Sequence, residues 1–379
     1  MIITFITTVD HNVGDDFVRE GIKYLLGQVF KGKELSFQNI HKHSPITVRH
    51  GFEFFKNMKI SKFSFPSKYL DALLPLRITK DKILEADIVI QSGAPVYWCH
   101  KDFGSHCADN EWYDPLIRRR FNENHDAILL NIAAGSCQGY NSDGSEFQNC
   151  IKDIEYIRQF YNASDLTTVR DNLAKKILDS LNLNPSLIPC PSIYAIDAYG
   201  LKPSEGQYLV INYMQIGGHF TFGKKLESAK WNKVLKEFYE YVKNKEDILF
   251  VCHNKNEVEN AKKIDNTART FYSNNFLDYM KIYSKAKYGI MNRIHGAFLM
   301  ASYGAPSFVI GNDSRAKMTE EIGLESMFLN DITYSTLVDK YESLKKFRKN
   351  YIEVFNERKK VAYDKYVNLL SNVLNKYCQ

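Results

Sequence analysis

Arg293 and His295 stand close together near the C-terminal end of the chain, where a short apolar run gives way to small residues. The run before them, Tyr288 to Met291, predicts a buried strand, and the sequence from Ala297 predicts a helix. A guanidinium and an imidazole at such a turn can bind phosphate or carboxylate, because a helix N-terminus adds unpaired N–H groups and partial positive charge. Ile294 would add its backbone N–H to this anion site. If this Arg-x-His stood alone, the simpler explanation would be that Arg293 is a surface cation and His295 an ordinary turn residue. Other motifs are needed to decide between this explanation and an anion site.

A second polar turn, with the sequence HNVGD, follows the strand predicted at Ile2 to Val9. Gly14 permits a tight bend there, and the side chains of His11, Asn12 and Asp15 would face a cleft. Asp15 has two interpretations that the residues leave open. It can cap the helix that follows, or it can bind an acceptor and act as a general base.

Three segments together resemble the polysaccharide pyruvyl transferase family. They are the Arg-x-His-Gly stretch at residues 293–296 with Gly-Ala-Pro at 304–306, the Asn-x-Gly-Asp turn at 12–15, and the Val-Arg-Asp stretch at 169–171. They occur in the family's order and span the chain to about Gly311. The resemblance implies transfer of a pyruvyl group from phosphoenolpyruvate to sugar hydroxyls, forming a ketal on a surface glycan or its lipid-linked precursor.

The donor in that reaction carries a phosphate and a carboxylate, so its site needs two or more fixed cations or N–H clusters. With the resemblance, Arg293 and Arg170 become the candidate clamps, and His295 becomes both a donor contact and a proton donor. Arg315 or Lys317 fills the place where the family often has a lysine. The alternative for Arg170 is an ion pair with its neighbour Asp171. The alternative for Arg315 and Lys317 is an exposed position on the surface. The chemistry itself requires neither a redox cofactor nor a metal.

The acceptor side is predicted around the loop that follows the strand at 88–91. The family commonly has three glycines there, and this chain clearly retains only Gly93. Trp98 would stack on a sugar ring, and His100 would add a polar contact. We therefore assign these three residues and the HNVGD turn to the acceptor.

Four residues of the same region, Cys99, His100, His106 and Cys107, are also potential zinc ligands. Their adjacent pairing does not match the usual Cys-x-x-Cys or His-x3-His spacings. The sequence therefore predicts no metal site.

The bulk composition limits the class of protein. The chain has 379 residues, 44% hydrophobic and 25% charged, with a net charge of +6 spread widely. This favours anionic small ligands and does not indicate nucleic-acid binding. The seven scattered cysteines favour reduced thiols in the cytoplasm. Neither a signal sequence nor an apolar run of roughly 20 residues is recognisable, so a lipid-linked acceptor would be met at the inner face of the membrane.

Strand-like runs alternate with helical patterns almost throughout, which is typical of βαβ units with parallel sheets. Prolines and a glycine between residues 185 and 206 interrupt the alternation. We predict an α/β fold of two doubly wound Rossmann-like domains facing a cleft, similar to GT-B enzymes. The predicted parts are an N-terminal domain at 1–190 on the acceptor side, a linker at 191–206, a C-terminal domain at 207–335 on the donor side, and a helical tail at 336–379 that packs back on the first domain.

The predicted elements fall into two series. The strands are 2–9, 35–38, 88–91, 128–132 and 166–169 in the first half, and 208–213, 248–251, 269–272, 288–291 and 307–310 in the second. The helices are 15–29, 112–121, 146–160, 172–181, 228–243, 257–264, 276–285 and 297–303, and the stretch 42–76 is predicted to be irregular.

Two other functions fit the same pattern. One is a glycosyltransferase with GT-B architecture that uses a nucleotide-sugar donor, although its acidic ribose-binding motif is not evident in the second half. The other is a noncatalytic protein that binds sugars or anions.

Overall fold

The computed structural model describes residues 1–9, 12–42, 47–48, 78–79, 85–109, 126–214 and 226–375. His11, the helix predicted at 112–121 and most of the stretch 42–76 lie outside the described residues.

The elements are numbered in chain order. The strands are β1 (Ile2–Thr7), β2 (Ser36–His41), β3 (Thr47–Val48), β4 (Ile78–Thr79), β5 (Ile88–Ser92), β6 (Pro95–Tyr97), β7 (Cys99–His100), β8 (Ser105–His106), β9 (Ile128–Ser136), β10 (Leu166–Val169), β11 (Ser186–Leu187), β12 (Tyr208–Ile211), β13 (Ile248–Val251), β14 (Thr270–Phe271), β15 (Ala286–Met291), β16 (Ser307–Gly311) and β17 (Ser326–Phe328). The α-helices are α1 (Val13–Val29), α2 (Ile151–Ala163), α3 (Asn172–Ser180), α4 (Ser228–Val242), α5 (Lys255–Ile264), α6 (Phe276–Tyr283), α7 (Ile294–Ser302) and α8 (Tyr334–Val373).

The first domain is built on a parallel sheet in the order β11-β10-β9-β5-β1-β2, with β6 paired to β9 beside this path. Its central strands β1, β5 and β9 are almost wholly buried apolar runs, as expected where helices cover both faces of a parallel sheet. The strand order changes direction between β1 and β5. In such sheets ligands bind outside the carboxyl ends of the strands at this switch point.

The second domain repeats the arrangement with the order β14-β13-β12-β15-β16-β17, again parallel throughout. Numbered along the chain these strands read 3-2-1-4-5-6, so the switch point lies between β12 and β15. The fold is therefore α/β with two Rossmann-like domains, as the sequence predicts.

The connection between the sheets is tightly packed against α1. Short 3₁₀ turns at Pro191–Tyr194 and Asp197–Tyr199 form much of it. The carbonyl oxygen of Pro191 lies so close to Gly21 that a Cβ at position 21 would overlap it. The connection is thus a packed part of the first domain's surface.

Helix α8 contacts both domains. Tyr366 donates to the carbonyl oxygen of Pro189 at 3.0 Å, and Tyr341 donates to Glu246 at 2.9 Å. Glu246 lies just before β13 in the second domain, so the helix extends across the junction between the two sheets.

Most predicted elements within the described residues are confirmed, with bounds that differ by a few positions. Helix α7 begins at Ile294, earlier than predicted, which places His295 within its first turn. Sequence patterns missed the short strands β6, β7, β8, β11 and β17, because two or three residues show no periodicity.

None of the helices in the described parts of the chain combines the length and apolar content needed to cross a bilayer.

Candidate active site

Three of the polar turns predicted from sequence meet beside the switch point of the first sheet. Arg170, at the carboxyl end of β10, donates from Nη1 to the carbonyl oxygen of Gly93 at 2.6 Å and to Nε2 of His295 at 3.4 Å. Gly14 lies against the other side of that imidazole, since a Cβ there would stand 2.7 Å from Nδ1 of His295. His295 of the second domain therefore inserts between turns of the first.

Arg170 is a buried cation with unused hydrogen-bonding capacity. The residue is only 2% exposed, and its Nε lacks a hydrogen-bond partner among the described residues. Gly135 makes room for it, because a Cβ at that position would lie 2.7 Å from this Nε. Burying a charged group costs free energy unless an opposite charge or hydrogen bonds compensate it. Arg170 is therefore suited to an anionic ligand.

Asp171 holds the strand ends behind Arg170. Its carboxylate accepts from the backbone N–H and hydroxyl of Ser136 at 2.9 and 2.6 Å and caps α3 by accepting from Ala174 at 2.7 Å. These bonds join the end of β9 to the start of α3. Asp171 therefore has a structural role. The guanidinium of Arg170 contacts Gly93 and His295.

His295 is held neutral in the ligand-free site. Burial, together with the positive charges of Arg170, Arg315 and Lys42, lowers the pKa of His295 to about 3, and Asp15 only partly opposes this. Because Arg170 donates to Nε2, the imidazole proton resides on Nδ1. A bound anion would offset the surrounding positive charge and raise this pKa.

Asp15 does not cap α1. The N-cap is Asn12, whose side chain accepts from the backbone N–H of Gly14 at 3.1 Å. Asp15 is buried in the first turn, with Oδ2 3.6 Å from Nζ of Lys42. Burial alone would raise the pKa of Asp15, but the charge of Lys42, a hydrogen bond from Thr8 and the charge of Arg170 outweigh it and lower the pKa. Its carboxylate is therefore ionised beside the histidine.

Arg315 adds positive charge from the second domain. Its guanidinium pairs with both carboxylate oxygens of Asp313, at 2.9 and 2.6 Å. Burial opposes the charged form, but Asp313 raises the pKa of Arg315, so it stays a cation near His295. Lys317 instead lies over the ring of Tyr140, 5.0 Å from its centroid.

Arg293 is differently placed from Arg170. It is the N-cap residue of α7, and its Nη2 forms an ion pair with the buried carboxylate of Glu257 in the first turn of α5. Burial lowers the pKa of His253, and the positive charge of Arg293 lowers it further. Nε of Arg293, like that of Arg170, lacks a hydrogen-bond partner among the described residues. The predicted clamps differ in their charged neighbours: Arg170 contacts His295, whereas Arg293 is paired with Glu257 of its own domain.

Several buried polar atoms lack hydrogen-bond partners among the described residues, and they share one edge of the first sheet. They belong to the ends of β1 and β5, to the connection and to the turn after β10, namely Thr7, Gln91, Ser92, Ser192 and Arg170. Buried polar groups are normally satisfied. Their concentration at the switch point indicates a binding site for a polar ligand.

The comparisons with known proteins agree with this geometry. The family model described as polysaccharide pyruvyl transferase matches residues 12–314, which include all three turns. The chain belongs to the polysaccharide pyruvyl transferase family. The comparison with curated protein sequences gave no match.

Solved structures share the fold of this pyruvyl transferase family member. UDP-GlcNAc 2-epimerase of Neisseria meningitidis bound to UDP-GlcNAc is similar with a TM-score of 0.57 and 11% identity, covering 99% of this chain and 100% of that one. S. aureus MnaA with UDP gives 0.55 and 13%, covering 99% and 96%. The epimerase of Methanocaldococcus jannaschii with UDP-GlcNAc and UDP gives 0.53 and 12%, covering 98% and 100%. At this identity the likeness shows the fold alone.

The predicted acceptor residues are divided between two places. Gly93, with φ of 46°, lies in the Arg170 contact described above. Trp98 and His100 belong to the neighbouring hairpin of β7 and β8, where the indole donates to the hydroxyl of Ser105 at 3.3 Å. Burial lowers the pKa of His100, which lies beside the backbone of Cys137 and within electrostatic range of Asp313.

Lys42 belongs to the candidate site of this transferase, but the sequence patterns did not predict it. Lys42 immediately follows β2, whose neighbour in the sheet is β1. The rule that ligands bind at the carboxyl ends of parallel strands would have pointed to it. It was overlooked because it opens a stretch without periodicity.

The pKa of His295 makes a prediction about stability. The unfolded chain binds a proton near pH 6.5 that the native site does not, so stability rises with pH through this window and is lost as the pH falls. We expect His295 to reduce the free energy of unfolding by about 2 kcal/mol between about pH 7 and pH 5. Urea unfolding of the wild type and of His295→Gln at both pH values measures the difference. Equal losses in the two proteins would contradict a neutral imidazole.

Proposed function

We propose that the protein transfers a pyruvyl group from phosphoenolpyruvate to sugar hydroxyls of a surface glycan or its lipid-linked precursor, forming a ketal. The observation that carries this proposal is the buried contact between Arg170 and His295, bordered by unpartnered polar atoms at the switch point. A small donor with two anionic groups, a phosphate and a carboxylate, matches a site rich in buried positive charge.

In this proposal the donor lies between Arg170 and the N-terminus of α7. Arg170 has an unused Nε, and Arg315 and Lys42 add positive potential around His295. The first turn of α7 adds backbone N–H groups, including that of Ile294, and partial positive charge. Arg293 would assist at the same helix end if the donor competes with Glu257 for its guanidinium.

His295 would supply the proton that starts the reaction. The negative charges of the donor raise its pKa, so the imidazole becomes protonated in the donor complex. An imidazolium has no acceptor nitrogen, so Nη1 of Arg170 would leave Nε2 and turn to the donor. It then protonates the methylene carbon of the enol, and a sugar hydroxyl attacks the resulting oxocarbenium-like carbon. Asp15, ionised beside it, accepts the hydroxyl proton. A second hydroxyl then closes the ketal as phosphate leaves carrying the proton of that hydroxyl, and the proton on Asp15 returns to His295 through solvent.

The acceptor is proposed to enter along the face formed by Asn12, Gly14, Asp15 and Gly93, with Trp98 and His100 on the adjoining hairpin.

We propose that the transfer step uses no redox cofactor or metal. We also propose that the protein works in the cytoplasm and meets a lipid-linked acceptor at the inner membrane face.

The test is a donor and acceptor panel. Purified protein is incubated with labelled phosphoenolpyruvate and with galactose, glucose or mannosamine glycosides, and phosphate release is followed. Acceptor-dependent release with formation of a ketal supports the proposal. Reaction with a nucleotide sugar in place of phosphoenolpyruvate would replace it with glycosyl transfer, and binding without turnover would favour a sugar- or anion-binding protein.

A further inference from the structure

Four potential metal ligands converge in the first domain, on elements separate from the Arg170 and His295 contact. The Sγ atoms of Cys99 and Cys150, a ring nitrogen of His106 and a carboxylate oxygen of Asp153 all lie within 4.8 Å of one another. Three of these residues are buried, and the His106 side chain is 22% exposed.

The fold brings these ligands together as two pairs. Cys99 and His106 are directly opposite each other in the antiparallel hairpin of β7 and β8. Cys150 is the N-cap residue of α2, and Asp153 follows three positions later in its first turn. The prediction of no metal site rests on the spacing of Cys99, His100, His106 and Cys107 alone. The second pair lies more than forty positions further along the chain.

The ligand types and spacing fit a tetrahedral cation. Two thiolates, an imidazole and a carboxylate are ligands that Zn²⁺ accepts, at about 2.3 Å for sulfur and about 2.0–2.2 Å for nitrogen and oxygen. These bond lengths give tetrahedral edges of roughly 3.3–3.8 Å. The contact of Cys150 Sγ with His106 Nδ1 at 3.4 Å lies in this range. Asp153 Oδ2 lies closer, at 2.9 Å from His106 Nδ1 and 2.8 Å from Cys150 Sγ, so a bound cation would move this oxygen outward by roughly half an ångström. We propose that these four residues form a structural Zn²⁺ site.

The surroundings orient the ligands in the way metal sites require. Oδ1 of Asp153 accepts from the backbone N–H of Ala108 at 3.0 Å and from the thiol of Cys107 at 3.4 Å, which turns Oδ2 toward the other ligands. Gln138 holds the backbone of Cys99 from both sides, accepting from its N–H at 3.1 Å and donating to its carbonyl oxygen at 3.2 Å. Such supporting bonds fix ligand geometry.

Charge supports the same inference. Asp153 is fully buried, and its carboxylate accepts from Ala108, Cys107 and Cys150. A cation bound at Oδ2 would balance the negative charge that these neutral donors leave in place. Zn²⁺ with two thiolates and one carboxylate leaves a single net negative charge. The N-terminus of α2, which supplies Cys150 and Asp153, offsets it through the helix dipole.

The proposed cation joins the hairpin to α2. The hairpin carries His100 and directly follows Trp98, which are two of the residues proposed for the acceptor. Zn²⁺ would therefore order the acceptor side of the site, and the transfer chemistry would remain metal-free. This role rests on the proposed function, but the metal site itself does not.

The test begins with the full-length wild-type protein, purified without chelators or metal-affinity resin. We expect about one zinc per chain by elemental analysis, and replacement by Co²⁺ should give thiolate-to-cobalt charge-transfer and tetrahedral ligand-field bands. Absence of zinc together with absence of these bands on Co²⁺ titration would overturn the site, as would a Cys99–Cys150 disulfide in the purified protein.

Variants locate the cation. Cys99→Ser and Cys150→Ser should weaken Zn²⁺ binding by more than the roughly 10–100-fold that loss of a supporting partner costs. Cys252→Ser, a buried thiol of the second domain, is the matched control and should keep its zinc. Undiminished zinc in both hairpin and helix variants would refute the assignment. Because metal content does not depend on turnover, failure of pyruvyl transfer would leave this result unaffected.

Discussion

Replacement of His295 with glutamine is expected to lower kcat by about 10²–10⁴-fold, the range that loss of a positioned general acid produces. Glutamine can still accept the hydrogen bond that Arg170 donates to Nε2, so the buried guanidinium keeps this contact. It cannot deliver a proton to the enol carbon. Phosphate release at saturating phosphoenolpyruvate and acceptor measures the loss, and donor affinity should change much less than kcat.

His253→Gln is the matched control for this prediction. His253 is also a buried histidine of the second domain, and its Nε2 contacts the hydroxyl of Tyr283 at 3.1 Å. The control should retain most of the activity. A kcat for His295→Gln within a fewfold of wild type would assign proton donation to another group.

Replacement of Arg170 with glutamine should weaken phosphoenolpyruvate binding by about 2–4 kcal/mol, or roughly 30–1000-fold. The donor would lose a buried charged hydrogen-bond partner. Titration calorimetry with phosphoenolpyruvate measures the change. Arg170→Lys keeps the charge without the planar fork and should recover part of the affinity.

A variant at Arg293 tests whether the donor binds at Arg170 or at Arg293. A double variant, Arg293→Gln with Glu257→Gln, removes the ion pair without leaving Glu257 as an unpaired buried charge. Because Arg293 is already paired in its own domain, this variant should bind the donor better than Arg170→Gln. The opposite order would move the donor from Arg170 to the side of the cleft near His253.

The sequence predicted the architecture because its signal is local. Runs such as Ile128 to Ile132 are apolar at nearly every position, as required of a strand covered on both faces. His295, Arg170 and Gly14 were also predicted as site residues from motif turns. Gly14 and Arg170 lie close together because each follows a strand of the first parallel sheet, and the carboxyl ends of such strands share one edge. His295 follows a strand of the second sheet and reaches them from the other domain.

What could not be predicted depends on contacts between distant residues. Nothing near Arg293 indicates that Glu257 will engage its guanidinium. Likewise, Cys150 and Asp153 become partners of Cys99 and His106 only after α2 packs on the hairpin. The assignment of N-capping to Asn12 and not to Asp15 depends on where the helix starts, which propensity fixes only within a few positions.

Helix α8 has a mechanical consequence. A continuous helix fastened to Pro189 at one end and to Glu246 near the other acts as a stiff strut between the two sheets. Any hinge rotation must bend this strut or detach one of its anchor points, and either change costs more than flexing a loop. Substrates are therefore expected to enter and leave through local rearrangement of the rim, with the two halves of the molecule held at a nearly constant angle.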